Sequence, residues 1–426
     1  MENALKTILN DETARVERKL ASMGKDNLAK MFGPCYRNTL ETTVELCGDT
    51  TFVITGDIPA MWLRDSSAQV MHYVPLAIKH SEIASVIDGV IRRQVRYILA
   101  DPYANAFNKE ANGNGHSGDI TDMSPLVWER KYEIDSLCNP FHLAYVYWKE
   151  TGGTDWLDDN FTQAIHATLN LWTVEQHHEN SPYSFERTDC RPSDTLTHDG
   201  KGAPVGYTGM TWCGFRPSDD ACTYGYLVPA NLFAARVLLE LSEICTSLLN
   251  DADLAKKCLN LRNEILDGVD EYGTVDHPKY GKIYAYETDG LGNYNLMDDA
   301  NVPSLMSLPY LGCCDADDEI YQNTRRFILS DENPYYFSGS AAHGIGSPHT
   351  DKGNIWPIAL SIQGLTTKDI YEKEMLMDML ESTTAGTGLM HESFDCNNPE
   401  NFTRSWFAWA NSIFSEFVLD YLRSSK

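Results

Sequence analysis

The chain has 426 residues, of which 42% are hydrophobic and 22% charged, a composition typical of a folded globular protein. Its formal net charge of -27 argues against nucleic acid and anionic membranes as partners, because proteins bind both through basic patches. Neutral ligands such as carbohydrates are compatible with this charge.

Two further features bear on location and cofactors. No segment approaches the roughly 18 consecutive apolar residues of a membrane span, and the first residues lack the basic and apolar regions of a secretion signal. The eleven cysteines are scattered and odd in number, which favours reduced thiols. Cys213 and Cys222 lack the further Cys or His ligands that would complete a zinc set. We therefore expect a cytoplasmic protein without metal or other cofactor, whose oligomeric state the sequence leaves open.

Helical periodicity dominates the chain. Apolar residues repeat at helical spacing from Ile83 to Leu99 and from Phe161 to Trp172, which predicts amphipathic helices with one buried face. The segments 141–148 and 226–241 are apolar on every side, as expected for helices that are buried all round. The pattern predicts that outer and inner helices alternate.

One motif, a polar and acid-rich loop that runs into a buried helix, recurs along the chain. The six loops lie near Asp65, Asp135, Asp220, Asp299, Asn354 and Ser405. Each of the first five buried helices is followed by a candidate outer helix, and residues 11–31 can supply the sixth by packing against the last helix. This pattern predicts an all-α (α/α)6 toroid of six inner and six outer helices. Because no linker interrupts the chain, we expect a single domain over residues 1–426.

In such a toroid the loops that lead into the inner helices lie on one face and form a funnel. Capping of helix N-termini is the simpler explanation for the polar residues of any single loop. Six such loops on one face, however, favour a binding site. The long loops 103–128, 183–215 and 268–298 are expected to build its outer walls.

Carboxylates in these loops suggest hydrolysis of a glycosidic bond. That reaction needs one carboxylic acid to protonate the leaving oxygen and a second carboxylate as base or nucleophile. Asp219 and Asp220 in RPSDDACTYGY are candidates for the acid, because mutual repulsion and partial burial raise one of their pKa values. Glu392 in GTGLMHESFD is a candidate base. The sequence alone leaves open which of the two aspartates points inward.

Other residues of the loops are candidates for sugar contacts. Arg64 and Asp65 in WLRDSS offer a donor and an acceptor to neighbouring hydroxyls, although a capping Asp beside a surface Arg explains them equally well. His116 and His343 lie in Gly-rich loops and either bind substrate or are ordinary loop histidines. Five tryptophans at loop ends either stack on a sugar ring or pack in the core. They are Trp62, Trp128, Trp212, Trp356 and Trp406.

Several motifs, taken in order, resemble those of glycoside hydrolase family 125 along almost the whole chain. They are WLRDSSAQ, VWERKYEIDSLCNP, GFRPSDDAC, AHGIG, GNIWPIALSIQG and MHESF. The resemblance implies an (α/α)6 exo-α-mannosidase that releases terminal non-reducing mannose from α-1,6 linkages with inversion and without a metal. The implied partner is a mannose-containing oligosaccharide or N-glycan fragment.

The resemblance also implies roles for individual residues. Asp220 in RPSDDA takes the general acid role and Glu392 in MHES the general base role. Contacts to the terminal sugar are implied for Arg64, Asp65, Glu129, Asp135, His343 and Asn354.

Two other functions stay open. Asp315, Asp317 and Asp318 spell the D-x-D-D run of terpene-type cyclases, but acidic residues are also common just before a helix, and the polar loops do not suit a cyclase pocket. A non-catalytic glycan-binding protein would keep the tryptophans and the Arg64 and Asp65 pair without needing two opposed carboxylates.

Overall fold

The protein is mostly helical. The computed structural model describes residues 2–424. Its α-helices are α1 (Glu2–Ser22), α2 (Asp26–Thr42), α3 (Leu63–Met71), α4 (Val74–Ala77), α5 (Ser81–Ala100), α6 (Ile134–Thr151), α7 (Asp159–Glu175), α8 (Thr197–Gly200), α9 (Val228–Ile244), α10 (Ala252–Tyr272), α11 (Glu319–Ile328), α12 (Pro357–Leu365), α13 (Ile370–Ser382) and α14 (Ala408–Ser424).

Short antiparallel strands lie between the helices. They are β1 (Val44–Cys47), β2 (Thr50–Val53), β3 (Met61–Trp62), β4 (Ala106–Phe107), β5 (Val127–Glu129), β6 (Tyr226–Leu227), β7 (Thr274–His277), β8 (Gly281–Tyr284), β9 (Glu287–Thr288), β10 (Tyr294–Asn295), β11 (Tyr336–Ser338), β12 (His343–Ile345), β13 (Asn354–Ile355), β14 (Ser393–Asp395) and β15 (Phe402–Thr403). The strands pair in the orders β1-β2, β3-β4-β5, β10-β9-β6, β7-β8, β11-β12 and β13-β14-β15.

The helices form a ring within a ring. On the inside, α3 packs against α6, α6 against α9, α12 against α14, and α14 returns to α3. On the outside, α5 contacts α7, α10 covers α9, α13 covers α12, and α2 covers α14 with α1 packed on it. This architecture is the predicted (α/α)6 toroid.

The N-terminal segment differs in detail from the single outer helix predicted over residues 11–31. The chain leaves α1 after Ser22 and enters α2 at Asp26, with Gly24 in the left-handed conformation between them at φ +74°. Glycine adopts this conformation without the steric cost that a side chain brings. The helix that packs against the end of the chain is therefore α2, and α1 forms an additional layer over it.

The inner helix predicted after Asp299 is not a regular helix. The segment folds into consecutive turns, because Pro303 and Pro309 have no N–H to donate to a helical ladder. In addition, the Ser307 hydroxyl accepts from the Ser304 N–H at 2.8 Å, and the Ser304 hydroxyl accepts from the Ser307 N–H at 3.1 Å. These local bonds compete with helical hydrogen bonds.

The same segment nevertheless closes the inner ring between α9 and α12. Gly312 lies against the Arg236 side chain of α9, and the Met306 sulfur accepts from Thr366 at the end of α12 at 3.7 Å. The Met306 carbonyl accepts from Tyr321 of α11 at 3.0 Å. Turns therefore occupy the place of the fourth inner helix.

One continuous hydrophobic core joins the two rings. The helix α9 is buried on nearly every side, as its uniformly apolar sequence predicts, and Phe233 and Leu238 are completely buried. Burying each such side chain stabilises the fold by about 1.5–3 kcal/mol. By contrast, α5 buries one face, on which Ile87 and Ile91 lie, as its periodicity predicts. No helix within residues 2–424 has both the length and the apolar character for a membrane span.

Short strands sit where several inner helices begin. β3 runs directly into α3, β6 into α9, and β13 ends one residue before α12 begins at Pro357. Each strand pairs with strands from the connecting loops, so the residues at the helix starts are fixed by backbone hydrogen bonds. The loops are thereby anchored around one face of the toroid.

Candidate active site

A cavity lies at this face, with walls from segments that lead into α3, α9, α12 and α14. Polar, charged and aromatic side chains share its surface. The lining residues are Thr55, Ile58, Trp62, Arg64, Asp65, Pro217, Ser218, Asp219, Asn301, His349, Trp356, Glu392, Arg404, Phe407 and Trp409.

Arg64, in the first turn of α3, organises one wall and is only 3% exposed. Its Nη1 donates to Glu133 and, at 3.2 Å, to Asp135, while its Nη2 donates to Asp219 at 3.3 Å. The Asp65 carboxylate lies 3.5 Å from Nε. We call these five residues the Arg64 cluster. Such a buried ion cluster is rigid, because moving one member would leave a charge unpaired.

The Arg64 cluster holds four carboxyl groups around one cation, and their pKa values diverge. Burial raises the pKa of Asp65 and of Asp135 to about 6, although Arg64 opposes the shift. Burial likewise raises the pKa of Glu133 well above its usual range. Burial acts on Asp219 too, but Arg64 and a hydrogen bond from Glu133 outweigh it and hold the pKa of Asp219 below its usual range. The directions of these shifts favour a proton on Glu133 over one on Asp219.

Asp219 and Asp220 are adjacent but point to different places. Asp219 has a left-handed backbone with φ +64°, which non-glycine residues seldom adopt outside tight turns and functional sites. In this turn the Asp219 N–H donates to the Arg216 carbonyl at 2.9 Å, and the Arg216 N–H donates to the Asp220 carbonyl at 2.8 Å. Lys131 donates to the Asp219 carbonyl at 2.7 Å. The turn presents the Asp219 side chain, which is 28% exposed, to the cavity.

Asp220 lies behind the wall. Its side chain is 1% exposed, and one carboxylate oxygen lies 3.2 Å from Nδ1 of His349, which itself lines the cavity. Burial lowers the pKa of His349, but the hydrogen bond and charge of Asp220 outweigh it and raise the pKa above its usual value. The inward carboxylate of the pair is thus Asp219, whereas the family resemblance had directed the acid role to Asp220.

Glu392 belongs to a second wall. It directly precedes β14, which pairs with β13 on one side and β15 on the other. The ring of the preceding His391 stacks on Phe402, with 3.9 Å between ring centroids, so the backbone at this point is well packed. The Glu392 carboxylate is 10% exposed and lies 3.4 Å from Nε of Arg404. Glu392 therefore reaches the cavity from a rigid strand.

Two further predicted site residues support the walls from behind. Glu129 accepts from Asn105 at 2.9 Å and from Arg187 at 2.8 Å, and it does not line the cavity. Asn354 donates to the hydroxyl of Ser393, next to Glu392, at 3.0 Å. Both residues can fix the position of cavity residues, and neither is part of the cavity lining.

The predicted sugar contacts Asp135 and His343 also lie outside the lining. Asp135 directs its carboxylate to Arg64. His343 is held in the β11-β12 hairpin, where it pairs with Ser338. The histidine that reaches the cavity is His349, six residues further along the same loop, and its carboxylate partner could not be read from the sequence. His116 is 44% exposed and lies outside the cavity as well.

The predicted tryptophans divide between the cavity and the core. Trp62 and Trp356 line the cavity, whereas Trp212 is 1% exposed and packs in the core. Trp128 and Trp406 are partly exposed and do not line it.

Trp409, Arg404 and Asn301 are among the further cavity residues that were not singled out from the sequence. Trp409, at the start of α14, lies 5.5 Å from the Arg64 guanidinium, and Arg404 precedes it in the same loop. Asn301 lies in the loop after Asp299 and donates to its carboxylate at 3.0 Å. All three belong to the loops that lead into the inner ring, so position in the repeated plan is the signal that could have found them.

The acidic run considered for a cyclase lies elsewhere. Asp318 caps α11 by accepting from the Tyr321 N–H at 2.9 Å, and Asp317 pairs with Lys368. Neither lines the cavity. Within residues 2–424, no group of three or more His, Cys, Asp or Glu side chains has the arrangement of a metal site.

Known proteins match this chain over most of its length. Residues 25–419 match the family described as metal-independent α-mannosidase, glycoside hydrolase family 125. A metal-independent α-mannosidase of Streptococcus pneumoniae, solved as a non-productive complex with α-1,6-mannobiose, is 50% identical. The match covers 98% of this chain and 99% of that one with a TM-score of 0.96.

Two further relatives extend the comparison. The meiotically up-regulated gene 157 protein of Schizosaccharomyces pombe is 42% identical over 93% of this chain and 82% of its own length. A bacterial glucoamylase solved with acarbose shares the fold at 11% identity and a TM-score of 0.62, over 94% of this chain and 56% of that one. The family match supports an enzyme over a non-catalytic binding protein or a cyclase. The chain belongs to glycoside hydrolase family 125, the metal-independent α-mannosidases.

Proposed function

We propose that the protein is an exo-acting, inverting α-1,6-mannosidase that removes terminal mannose from oligosaccharides or N-glycan fragments. The α-1,6 linkage is supported by the mannobiose bound to the Streptococcus pneumoniae relative. The exo mode is supported by the Arg64 cluster, which closes one side of the cavity with buried, mutually bonded charges. A cavity that is closed on one side suits the end of an oligosaccharide better than a sugar in its middle.

The observation that carries the mechanism is that Asp219 and Glu392 line one cavity from different walls. Inverting hydrolysis needs a base that activates water on one face of the sugar and an acid that protonates the leaving oxygen on the other. Glu392 is the base. Asp219 is the acid, in place of Asp220, because its carboxylate reaches the cavity while that of Asp220 is buried against His349.

In the proposed reaction, Glu392 takes a proton from water as the water oxygen bonds to C1. The bond from C1 to the leaving oxygen breaks, and Asp219 gives that oxygen its proton. No covalent sugar–enzyme intermediate forms. Both carboxyl groups then exchange protons with solvent to restore the starting state.

Arg64 and Asp65 are the proposed contacts to the hydroxyls of the terminal sugar, since both line the cavity. Glu129, Asp135 and Asn354 act indirectly by holding residues that line it or lie beside it. We also propose that the enzyme acts in the cytoplasm, in line with its eleven unpaired cysteines.

Proton NMR of α-1,6-mannobiose digestion tests substrate, linkage and stereochemistry together. We expect the β-anomer of mannose to appear first and the α-anomer to follow by mutarotation. Early α-mannose would contradict inversion. Turnover of other mannobioses with none of the α-1,6 isomer would contradict the linkage.

Paired substitutions test the choice of acid. Asp219→Asn should lower mannobiose turnover by about 10²–10⁴-fold, the usual contribution of general acid catalysis. The same variant should largely keep its activity on 2,4-dinitrophenyl α-mannoside, whose leaving group needs no proton. Asp220→Asn should affect both substrates to a similar degree. The opposite pattern would return the acid role to Asp220.

A further inference from the structure

The proposed acid poses a chemical problem. Asp219 lies beside Arg64 and close to Lys131, and both cations lower the pKa of its carboxyl group and so favour the ionised form. A general acid must nevertheless carry a proton when the leaving oxygen departs. A neighbouring group must therefore hold that proton and pass it to Asp219.

The contacts of the Asp219 carboxylate narrow the choice of donor. Arg64 donates to it at 3.3 Å, but a guanidinium is not deprotonated in proteins. Asn105 also donates to it at 3.3 Å, and an amide is not an acid. Lys131 gives its hydrogen bonds to the Asp219 carbonyl and to Asp194. The remaining contact is the carboxyl group of Glu133, which lies within hydrogen-bonding reach.

Two shared donors hold Glu133 and Asp219 together. The Arg64 guanidinium donates to an oxygen of each carboxyl group through separate nitrogens. The Asn105 amide lies 3.3 Å from an oxygen of each. The hydroxyl of Ser136 donates to Glu133 at 2.8 Å. Two carboxyl groups clamped in this way cannot both ionise easily, as in the paired carboxylates of aspartic proteases.

The surrounding charges favour one proton on the pair. Carboxyl groups outnumber cations here, and Glu133 is completely buried. The charged groups that face the pair are Arg64 and Asp65 from α3, Asp135 from α6, Glu129 and Lys131 from the segment between them, Arg187 and Asp194 from the loop before α8, and His349 from the loop after β12.

We propose that Glu133 holds the proton that Asp219 delivers to the leaving oxygen, so that the two carboxyl groups act as one proton-sharing pair. In the free enzyme the proton is on Glu133 and is hydrogen-bonded to Asp219. As the bond from C1 to the leaving oxygen breaks, Asp219 takes the proton of Glu133 and passes it to that oxygen, which leaves both carboxyl groups ionised. Solvent reprotonates the pair after the product leaves. Glu133 is a positioning residue, since it acts through Asp219, and its role rests on the proposed function.

Glu133→Gln tests this role, because the amide keeps the size of the side chain and a donor towards Asp219 but cannot transfer a proton. The alkaline limb of kcat/KM for α-1,6-mannobiose should move to lower pH by one unit or more. Turnover at pH 7 should fall by about 10²-fold, the lower end for general acid catalysis. Turnover of 2,4-dinitrophenyl α-mannoside should change little, which controls for damage to the fold or to sugar binding. Glu133→Asp, which restores an ionisable group, should regain part of the lost mannobiose turnover.

The outcomes separate this proposal from the choice of acid. If Asp219→Asn loses mannobiose turnover but Glu133→Gln keeps the wild-type rate and alkaline limb, the role of Glu133 is overturned while Asp219 stands. If Asp219→Asn keeps wild-type turnover, the acid assignment itself fails. Equal losses of turnover on both substrates in Glu133→Gln would show that the residue supports the fold or the sugar site and does not supply the proton. Should the variants not fold, neutron diffraction from the wild-type protein decides: we expect a deuteron on Glu133, and its absence would overturn the proposal.

Discussion

The two walls of the cavity handle charge in different ways. On one wall the Arg64 cluster crowds buried carboxyl groups around a single guanidinium that is 3% exposed. On the other wall Glu392 meets Arg404, which is 29% exposed, among the rings of Trp356 and Phe407. Crowded carboxyl groups retain a proton, as an acid must. A partly exposed ion pair suits a carboxylate that must stay charged to accept one. The difference is consistent with the proposed roles of Asp219 as acid and Glu392 as base.

The largest expected effect is on the Glu392 wall. Glu392→Gln removes the group proposed to activate water, so turnover should fall by about 10³-fold or more. Because water must be activated whatever the leaving group, the loss should be similar for mannobiose and for 2,4-dinitrophenyl α-mannoside. Steady-state kinetics on both substrates measure it. A loss confined to mannobiose would give Glu392 the acid role and reverse the comparison of the walls.

Stability should also distinguish the walls. Arg64→Met leaves buried carboxyl groups without their cation and should lower the free energy of unfolding by about 3–5 kcal/mol near pH 7. Arg404→Met, the matched change on the other wall, removes a partly exposed ion pair and should cost less than about 1 kcal/mol. Urea unfolding of both variants measures the difference.

The pH dependence sharpens this test. Without Arg64, the pKa values of the buried carboxyl groups rise further in the folded state. Their protonation offsets the lost cation at low pH, so the destabilisation by Arg64→Met should shrink from pH 7 to pH 5. Equal costs for the two arginine variants at every pH would contradict the proposed difference.

The ring of helices could be predicted from the sequence because its signal is local. Apolar periodicity predicted α5, and uniform apolarity predicted α9, since helices place residues at fixed angular spacing. The turns that stand in place of the fourth inner helix could not be predicted in this way. There, Pro303 and the paired bonds of Ser304 and Ser307 override the repeated plan.

The site was less predictable, because it depends on side-chain directions and long-range partners. The left-handed backbone of Asp219 decides which aspartate faces the cavity, and no residue pattern shows that angle. His349 lines the cavity and His343 does not, because the β11-β12 hairpin holds the earlier residue. Glu133 resembled an ordinary acidic residue before a helix, since its partner Asp219 is far away in the chain. The family resemblance identified the motifs that contribute to the site. The structure then showed which residue within a motif faces the cavity.

His349 offers a smaller test, since it lies near acidic residues of both walls. His349→Gln keeps a hydrogen-bond donor for Asp220 but removes an imidazole whose pKa Asp220 raises, so kcat/KM for mannobiose should fall by about tenfold. Asp219 and Glu392 should keep their proposed roles as acid and base. The loss of kcat/KM should therefore be comparable for 2,4-dinitrophenyl α-mannoside. A loss above 10³-fold that is specific to mannobiose would place proton delivery on Asp220 and His349.

The smallest effect is expected at Glu416 of α14, which does not line the cavity. This residue shows how burial shifts the pKa of a carboxyl group when no cation lies as close to it as Arg64 lies to Asp65 and Asp135. Burial raises the pKa of Glu416 to about 7, although a hydrogen bond from Tyr310 at 2.7 Å opposes the shift. For Asp65 and Asp135, burial raises the pKa to about 6 while the charge of Arg64 opposes it. The guanidinium thus offsets part of what burial does to them.

The sign of the resulting pH dependence is fixed by linkage. Between the usual pKa of a glutamate and about 7, folded Glu416 binds a proton that the unfolded chain has released, so wild-type stability falls as pH rises through this window. Glu416→Gln has no such proton and should melt at a progressively higher temperature than the wild type between pH 5 and pH 7, with a constant difference above. Activity should not change at any pH. A melting difference independent of pH would show that burial alone does not keep this carboxyl group neutral. Glu416 could then no longer serve as the comparison for the carboxyl groups of the Arg64 cluster.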